Sequence, residues 1–298
     1  MVERIHGVAV DAGSGLAASL RQARGAHALD TDAVTFKRAV LEELGQGATT
    51  VLLDAEYGPA LLDAYPATCA RMLAFEADVY RITGQDRVTV LPDHLTIEDF
   101  PSLGVRQLKF FMYYAPDEDP ALNARKQEIV EGIGARCQRA GVQFLMEPLV
   151  YHPTLEPGSA AYAAIKPNLV ARATQAFADE RFQVDVLKVE VPVDLAFVEG
   201  FGEPAISRTQ ALEAFRRAAA PAQGKGLVYL SAGVAFESFE ASLQLAREAG
   251  VDFSGFMCGR ALWSDAISVF GQSGEAQLRD WLSTTGIQRL RRLIKAAA

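Results

Sequence analysis

Eight short apolar stretches of strand type recur along this chain of 298 residues, and segments with helical period separate most of them. They are 5–11 "IHGVAVD", 49–54 "TTVLLD", 71–76 "RMLAFE", 106–112 "RQLKFFM", 143–147 "QFLME", 185–191 "DVLKVEV", 227–231 "LVYLS" and 254–258 "SGFMC". Strands that alternate with helices must run parallel and be joined by right-handed crossovers. Eight such units in about 250–300 residues is the size of a TIM barrel. The expected fold is therefore α/β, a (β/α)8 TIM barrel forming a single domain over residues 1–298. A doubly wound sheet is the alternative. "DAGSGLAASL" (11–20) lacks the third glycine of that fold's phosphate fingerprint. The connection over 77–104 is long, and "RVTVLPD" (87–93) competes for the place of third strand.

The helix signals are explicit. Residues 31–44 align Ala33, Phe36, Val40, Leu41 and Leu44 on one stripe, and Gly45 follows as a stop. Residues 119–140 open with Asp119-Pro120, a cap and then proline at the first helical position, and end before Gly141. Residues 235–249 end at Gly250. The tail "LRRLIKAAA" reads as a solvated helix, and Trp263 and Trp281 as packing for the C-terminal helices.

Composition narrows the function. The formal net charge is −8 with the cations scattered, which argues against a nucleic-acid partner. No apolar run approaches the roughly 20 residues of a membrane span, and the N-terminus has no secretory h-region. A cytoplasmic protein without membrane or nucleic-acid partners is expected. Cys69, Cys137 and Cys258 are far apart, and His6, His27, His94 and His152 form no ligand-spaced pair, so neither a metal nor a cofactor is indicated.

Strand parity then locates the chemistry, because side chains alternate faces along a strand. In 185–191, Val186, Lys188 and Glu190 share one face, opposite Leu187, Val189 and Val191. In 106–112, Lys109 opposes Leu108 and Phe110, and in 143–147, Glu147 opposes Phe144 and Met146. The wholly apolar faces suit the helix layer, so the charges face the barrel interior. Asp11, Asp54, Glu147 and Lys188 also come late in their strands, at the rim where barrel active sites lie. Asp54 and Glu56 read as a structural network at that rim; Tyr113 and Tyr114 line the mouth or pack the core.

A free lysine, with a pKa of about 10.4, is a poor nucleophile at neutral pH. Burial and a second cation favour its neutral form, and Lys188 would receive both, the second from Lys109. A neutral amine can attack a ketone, and the resulting iminium withdraws electrons so that a neighbouring carbon–carbon bond breaks. Glu147 can shuttle protons, and Asp11 can bond a substrate hydroxyl or orient Lys188. This is the chemistry of a metal-independent, class I aldolase. The loops after strands seven and eight of a barrel commonly bind phosphate. Here they offer Ser231, the backbone of Gly233 and Gly259, and the fork of Arg260.

The chain resembles the class I tagatose 1,6-bisphosphate aldolases over nearly its whole length. The resemblance is carried by "LLDAEYG" (52–58), "LKFFMYYAPDED" (108–119), "FLMEPLVY" (144–151), "RFQVDVLKVEVPV" (181–193), "FVEGF" (197–201), "VYLSAGV" (228–234) and "CGRALW" (258–263). It implies a barrel that cleaves a ketose bisphosphate, a small-molecule sugar phosphate, into dihydroxyacetone phosphate and glyceraldehyde 3-phosphate, and a homo-oligomer, dimer or tetramer. By position Lys188 matches the Schiff-base lysine and Glu147 the acid/base. Lys109 and Asp11 match accompanying active-site residues, and Ser231, Gly259 and Arg260 the site for the ketone-side phosphate. The related 6-deoxy-6-sulfofructose 1-phosphate aldolases share this core.

One departure bears on the substrate. The family reads Asp-Gln-Arg after the first strand, whereas this chain reads "DAGSG" (11–15), keeping Asp11 but placing Ala12 and Gly13 where the amide and the cation stand. The aldehyde half is thereby left open to phosphate, sulfonate or neither, with Arg21 and Arg24 as replacement cations. The alternatives are the same retro-aldol chemistry on 6-deoxy-6-sulfofructose 1-phosphate or another ketose 1-phosphate, and a non-enzymatic sugar-phosphate sensor.

Overall fold

The computed structural model describes residues 4–82, 84–222 and 224–298. The eight apolar runs become eight parallel strands: β1 (Ile5–Val10), β2 (Thr50–Leu53), β3 (Ala70–Ala74), β4 (Gln107–Tyr114), β5 (Gln143–Val150), β6 (Val186–Glu190), β7 (Gly226–Leu230) and β8 (Gly255–Cys258). Each pairs with the next, and β8 pairs with β1 through Ile5–Gly255 to Val8–Cys258, which closes the barrel. The nine helices among the described residues are α1 (Ser14–Arg24), α2 (Asp32–Leu44), α3 (Pro120–Ala140), α4 (Ala160–Phe177), α5 (Arg208–Ala219), α6 (Phe236–Glu248), the short α7 (Arg260–Trp263), α8 (Asp265–Trp281) and α9 (Ile287–Ala297).

Local chemistry sets their ends. Asp119 accepts the backbone N–H groups of Ala121 and Leu122 to cap α3. Gly141, left-handed at φ 65°, ends it, where a side chain would be strained. Ser207 and Gln210 form a reciprocal capping box on α5. The tail α9 departs from the solvated helix expected: Leu290, Leu293 and Ala297 are buried, and α9 packs on α6.

Two connections contain no α-helix among the described residues. Between β2 and β3, and between β3 and β4, only short 3-10 turns occur: Gly58–Ala64, Val79–Arg81 and Ile97–Asp99. The rival run 87–93 forms no strand and belongs to a strap, residues 77–82 and 84–94, laid over the barrel mouth. Ala77 N–H donates to Val90 at 2.8 Å and closes its base.

Both strand faces follow the alternation. Leu108 and Phe110 on β4, Phe144 and Met146 on β5, and Leu187 and Val189 on β6 pack into the helix layer. The interior is plugged by a separate apolar cluster that includes Ala9, Leu52, Ala74, Leu145, Val186 and Met257. One side-chain layer nearer the strand ends, the same faces carry Asp11, Asp54, Glu76, Glu147, Lys188 and Gly259. The charged layer therefore rests on a dry floor.

Lys37 of α2 is fully buried beneath this rim. Its Nζ donates to the carbonyls of Val10 and Ala12 and lies 2.6 Å from Asp54 Oδ2, a charge contact without hydrogen-bond alignment. Asp54 Oδ1 accepts the backbone N–H groups of Glu56 and Tyr57. Asp54 thus pins the β2 loop as a structural residue, while Glu56 is exposed. Removing one partner of a buried pair strands the other's charge, at a cost of about 3–5 kcal/mol. Lys37→Met should lower unfolding stability by that amount in urea titrations, and Lys37→Met with Asp54→Leu should recover part of it. A Lys37→Met protein as stable as wild type would refute this accounting.

Candidate active site

The charged layer is organised around one ammonium. Lys109 Nζ, from the middle of β4, donates to Asp11 Oδ2 at 3.0 Å and makes a short bond to Glu76 Oε1. Glu147 Oε2 on β5 lies 2.9 Å from it as an ion pair. The same Glu147 oxygen accepts a hydrogen bond from Lys188 Nζ of β6, also at 2.9 Å. Lys109, Glu147, Lys188 and Glu76 are all buried.

Electrostatics assigns their charges. Burial would lower the Lys109 pKa, but Glu147, Glu76 and Asp11 outweigh it and hold it well above the ordinary lysine value. Lys109 therefore remains an ammonium. Burial would raise the Asp11 pKa, but Lys109 and Lys188 hold the carboxyl far below its ordinary range. Burial pushes the Glu76 carboxyl up to about 7 against the pull of Lys109, with Asp11 and Glu147 adding to the rise. Glu76 Oε2 also accepts the Phe111 N–H at 3.2 Å.

Two of the expected contacts change partners. Asp11 bonds Lys109 rather than Lys188. Lys109 is no bare cation beside Lys188, because three carboxylates surround it. Glu76 was legible but passed over: it closes the run "RMLAFE" on the parity of Met72 and Ala74, the position that singles out Asp11, Glu147 and Lys188 on their strands. Glu190 also faces inward, accepts the Val150 N–H at 2.8 Å and lies 3.5 Å from Lys166 of α4.

A cavity of about 1330 Å³ opens from this layer. On its β7–β8 side stand Ser231, Gly233, Gly259 and Arg260. Gly233 adopts φ 76°, and a Cβ there would come 2.7 Å from the Arg260 guanidinium, so glycine lets the arginine lie against that loop. Ser231 is buried, while Arg260 opens to the cavity. Tyr113 lines the mouth, whereas Tyr114 packs against Phe177 in the helix layer. Trp263 donates its indole N–H to the Ala9 carbonyl at 2.8 Å and ties α7 to β1.

After "DAGSG", the space is filled by the strap. Asp78 Oδ2 accepts the Ser14 N–H at 3.0 Å, and the Tyr80 ring lies where a Gly15 side chain would stand, 2.6 Å from an ideal Cβ. Arg24 turns away to pair with Asp32 at 2.9 Å, while Arg21 lines the cavity.

A closed parallel barrel with its charges gathered at the C-terminal rim defines a (β/α)8-barrel enzyme. The DeoC/LacD family aldolase model matches residues 7–265. A tagatose 1,6-diphosphate aldolase of Staphylococcus haemolyticus is 40% identical over 272 residues, 88% of this chain and 82% of that protein. One of Staphylococcus aureus is 39% identical over 261 residues, 86% of this chain and 79% of that protein. The chain belongs to the DeoC/LacD family of aldolases. Among solved structures, the fructose-bisphosphate aldolase of Plasmodium falciparum superimposes with a TM-score of 0.69 at 15% identity, covering 98% of this chain and 89% of that one. A Schiff-base-forming fructose-1,6-bisphosphate aldolase does so with a TM-score of 0.61 at 14% identity, covering 98% and 94%. At such identities these two speak for the fold alone.

The raised Glu76 carboxyl gives a signed pH dependence. A carboxyl whose folded pKa lies above its unfolded value contributes stability that is complete below the unfolded value and lost as pH rises through the folded one, here between about 4.5 and about 7. Glu76→Gln lacks that titration. Its stability relative to wild type should therefore improve from pH 5 to pH 8 in urea titrations. A difference independent of pH would show that Glu76 is ionised throughout.

Proposed function

We propose that this chain cleaves a ketose 1,6-bisphosphate of tagatose or fructose type into dihydroxyacetone phosphate and glyceraldehyde 3-phosphate, through a Schiff base on Lys188. The observation that carries this reading is the single Glu147 oxygen set 2.9 Å from both the Lys188 and Lys109 amines in a buried layer. Membership in an aldolase family with tagatose 1,6-diphosphate aldolases as relatives agrees with it.

In this mechanism Lys188 passes a proton to Glu147 and attacks the C2 carbonyl with its lone pair. The C2 oxygen takes one proton from the attacking nitrogen and the other back from Glu147, leaves as water, and an iminium forms. Glu147, again a carboxylate, takes the C4 hydroxyl proton while the C3–C4 electron pair moves into the iminium. Glyceraldehyde 3-phosphate departs and an enamine remains. Protonation at C3 and addition of water release dihydroxyacetone phosphate and restore the amine. Lys109, held as an ammonium by its three carboxylates, cannot take the nucleophile's part. Its fixed charge keeps Glu147 in place. Ser231, Gly233, Gly259 and Arg260 receive the ketone-side phosphate, and Asp11 orients Lys109.

The reading extends to the whole chain as one domain, supported by α8 and α9 packing back on α1, α2 and α6. It places the protein in the cytoplasm as a homo-oligomer, on the family resemblance; among the described residues, no helix is long and apolar enough to cross a membrane.

Two measurements test this reading. Borohydride with dihydroxyacetone phosphate should attach the triose irreversibly to Lys188 and inactivate the protein, while Lys188→Met should take up none. Labelling at another lysine would sink the proposal. Arg260→Ala should raise KM for a ketose 1-phosphate by about tenfold, the scale of a lost charge-assisted contact. An unchanged KM would move the ketone-side phosphate away from the β7–β8 loops.

A further inference from the structure

The helix start after β1 cannot serve a second anion, because the protein's own Asp78 carboxylate already takes the Ser14 N–H and Gly13 and Gly15 seat the strap against it. Across the same cavity stands a cation with no carboxylate partner within ion-pair distance among the described residues. Arg87, on the strap, stacks its guanidinium over the Tyr151 ring at 4.4 Å and near that of Tyr113 at 5.4 Å. Its backbone is left-handed, φ 47°, a conformation that is strained for an arginine. The platform is itself fixed: the Tyr151 hydroxyl donates to Glu118 at 2.6 Å and accepts from buried Lys126 at 3.3 Å. Such strain persists where its surroundings impose it, and here they aim an unpaired guanidinium into the cavity that holds Lys188. Stacking leaves the N–H edge of a guanidinium free to bind the oxygens of a phosphate or sulfonate. Arg21 is exposed, as Arg87 is, but among the described residues it has no aromatic platform to hold its guanidinium.

We infer that Arg87 is the specificity-determining residue for the aldehyde half, binding an anionic group, phosphate or sulfonate, at the far end of the ketose. The inference rests on the aldolase reading above and adds to it the residue that reads the distal end. It moves that recognition from the start of α1 to the strap between β3 and β4.

The test compares kcat/KM for fructose 1,6-bisphosphate, 6-deoxy-6-sulfofructose 1-phosphate and fructose 1-phosphate in the wild type, Arg87→Gln, Arg87→Gly and Arg21→Gln. The wild type should prefer a ketose with an anionic distal end over fructose 1-phosphate, and which one it prefers separates phosphate from sulfonate. Arg87→Gln should cut that preference about tenfold or more, chiefly through KM. Arg87→Gly should cut it equally while melting no lower than wild type, because glycine removes the left-handed penalty along with the guanidinium. A purely structural arginine would give the reverse, a lower Tm with selectivity intact, and that result overturns the inference. So does a wild type indifferent to the distal anion, or an Arg87→Gln protein that keeps its preference, whatever Arg21→Gln does. Borohydride labelling of Lys188 by dihydroxyacetone phosphate involves no distal anion, so its failure would strike the aldolase reading separately.

Discussion

One carboxylate oxygen shared by two lysine amines organises this molecule. Glu147 Oε2 sits 2.9 Å from both Lys109 and Lys188, inside a barrel whose floor is apolar. Charges in such a place are tolerable only when paired on every side. Asp11, Glu76 and Glu147 enclose Lys109, and the three come from β1, the end of β3, and β5. The requirement to satisfy one lysine thus ties together the ends of four of the eight strands, β1, β3, β4 and β5. Of the two amines, it leaves Lys188, with one carboxylate contact among the described residues, less committed to structure than Lys109.

The sequence made the barrel legible because two patterns agree. Each strand is apolar on the face that meets the helices, and the charges fall on the other face and late in the strand. The alternation also separates Leu187 and Val189 from Lys188 without any knowledge of the fold. The same parity would have singled out Glu76 had its run been searched for a terminal charge as well as for apolar content. What had no local signal was pairing between strands. That Asp11 meets Lys109, rather than Lys188, depends on barrel curvature and on the lengths of two side chains.

The strap was illegible for a different reason. The one strand-like run here, 87–93, pairs with no strand, and the conformation of residues 77–82 and 84–94 comes from contacts with distant residues: Ser14, Gly15, Tyr113 and Tyr151. The glycines of "DAGSG" read as a loss of binding groups in the sequence. In the structure they are the clearance that admits Asp78 and Tyr80. With no α-helix between β3 and β4 among the described residues, that connection lies over the mouth, where the chemistry is, rather than on the outside of the barrel.

The seam between β1 and β8 has a consequence for biosynthesis. β1 precedes the other seven barrel strands in synthesis and finds one of its two partners only when residues 255–258 have followed, and the Trp263 indole then locks α7 to Ala9. Until that moment β1 presents an open edge, the kind of surface on which nascent chains stick to one another. The charged rim is complete earlier than this seal: Asp11 has Lys109 to bond once the chain has grown by 98 residues, and Lys188 follows. A chain translated only as far as β5 therefore carries no pair of amines about a shared carboxylate, and Lys188 supplies the second amine before residues 255–258 close the barrel around it.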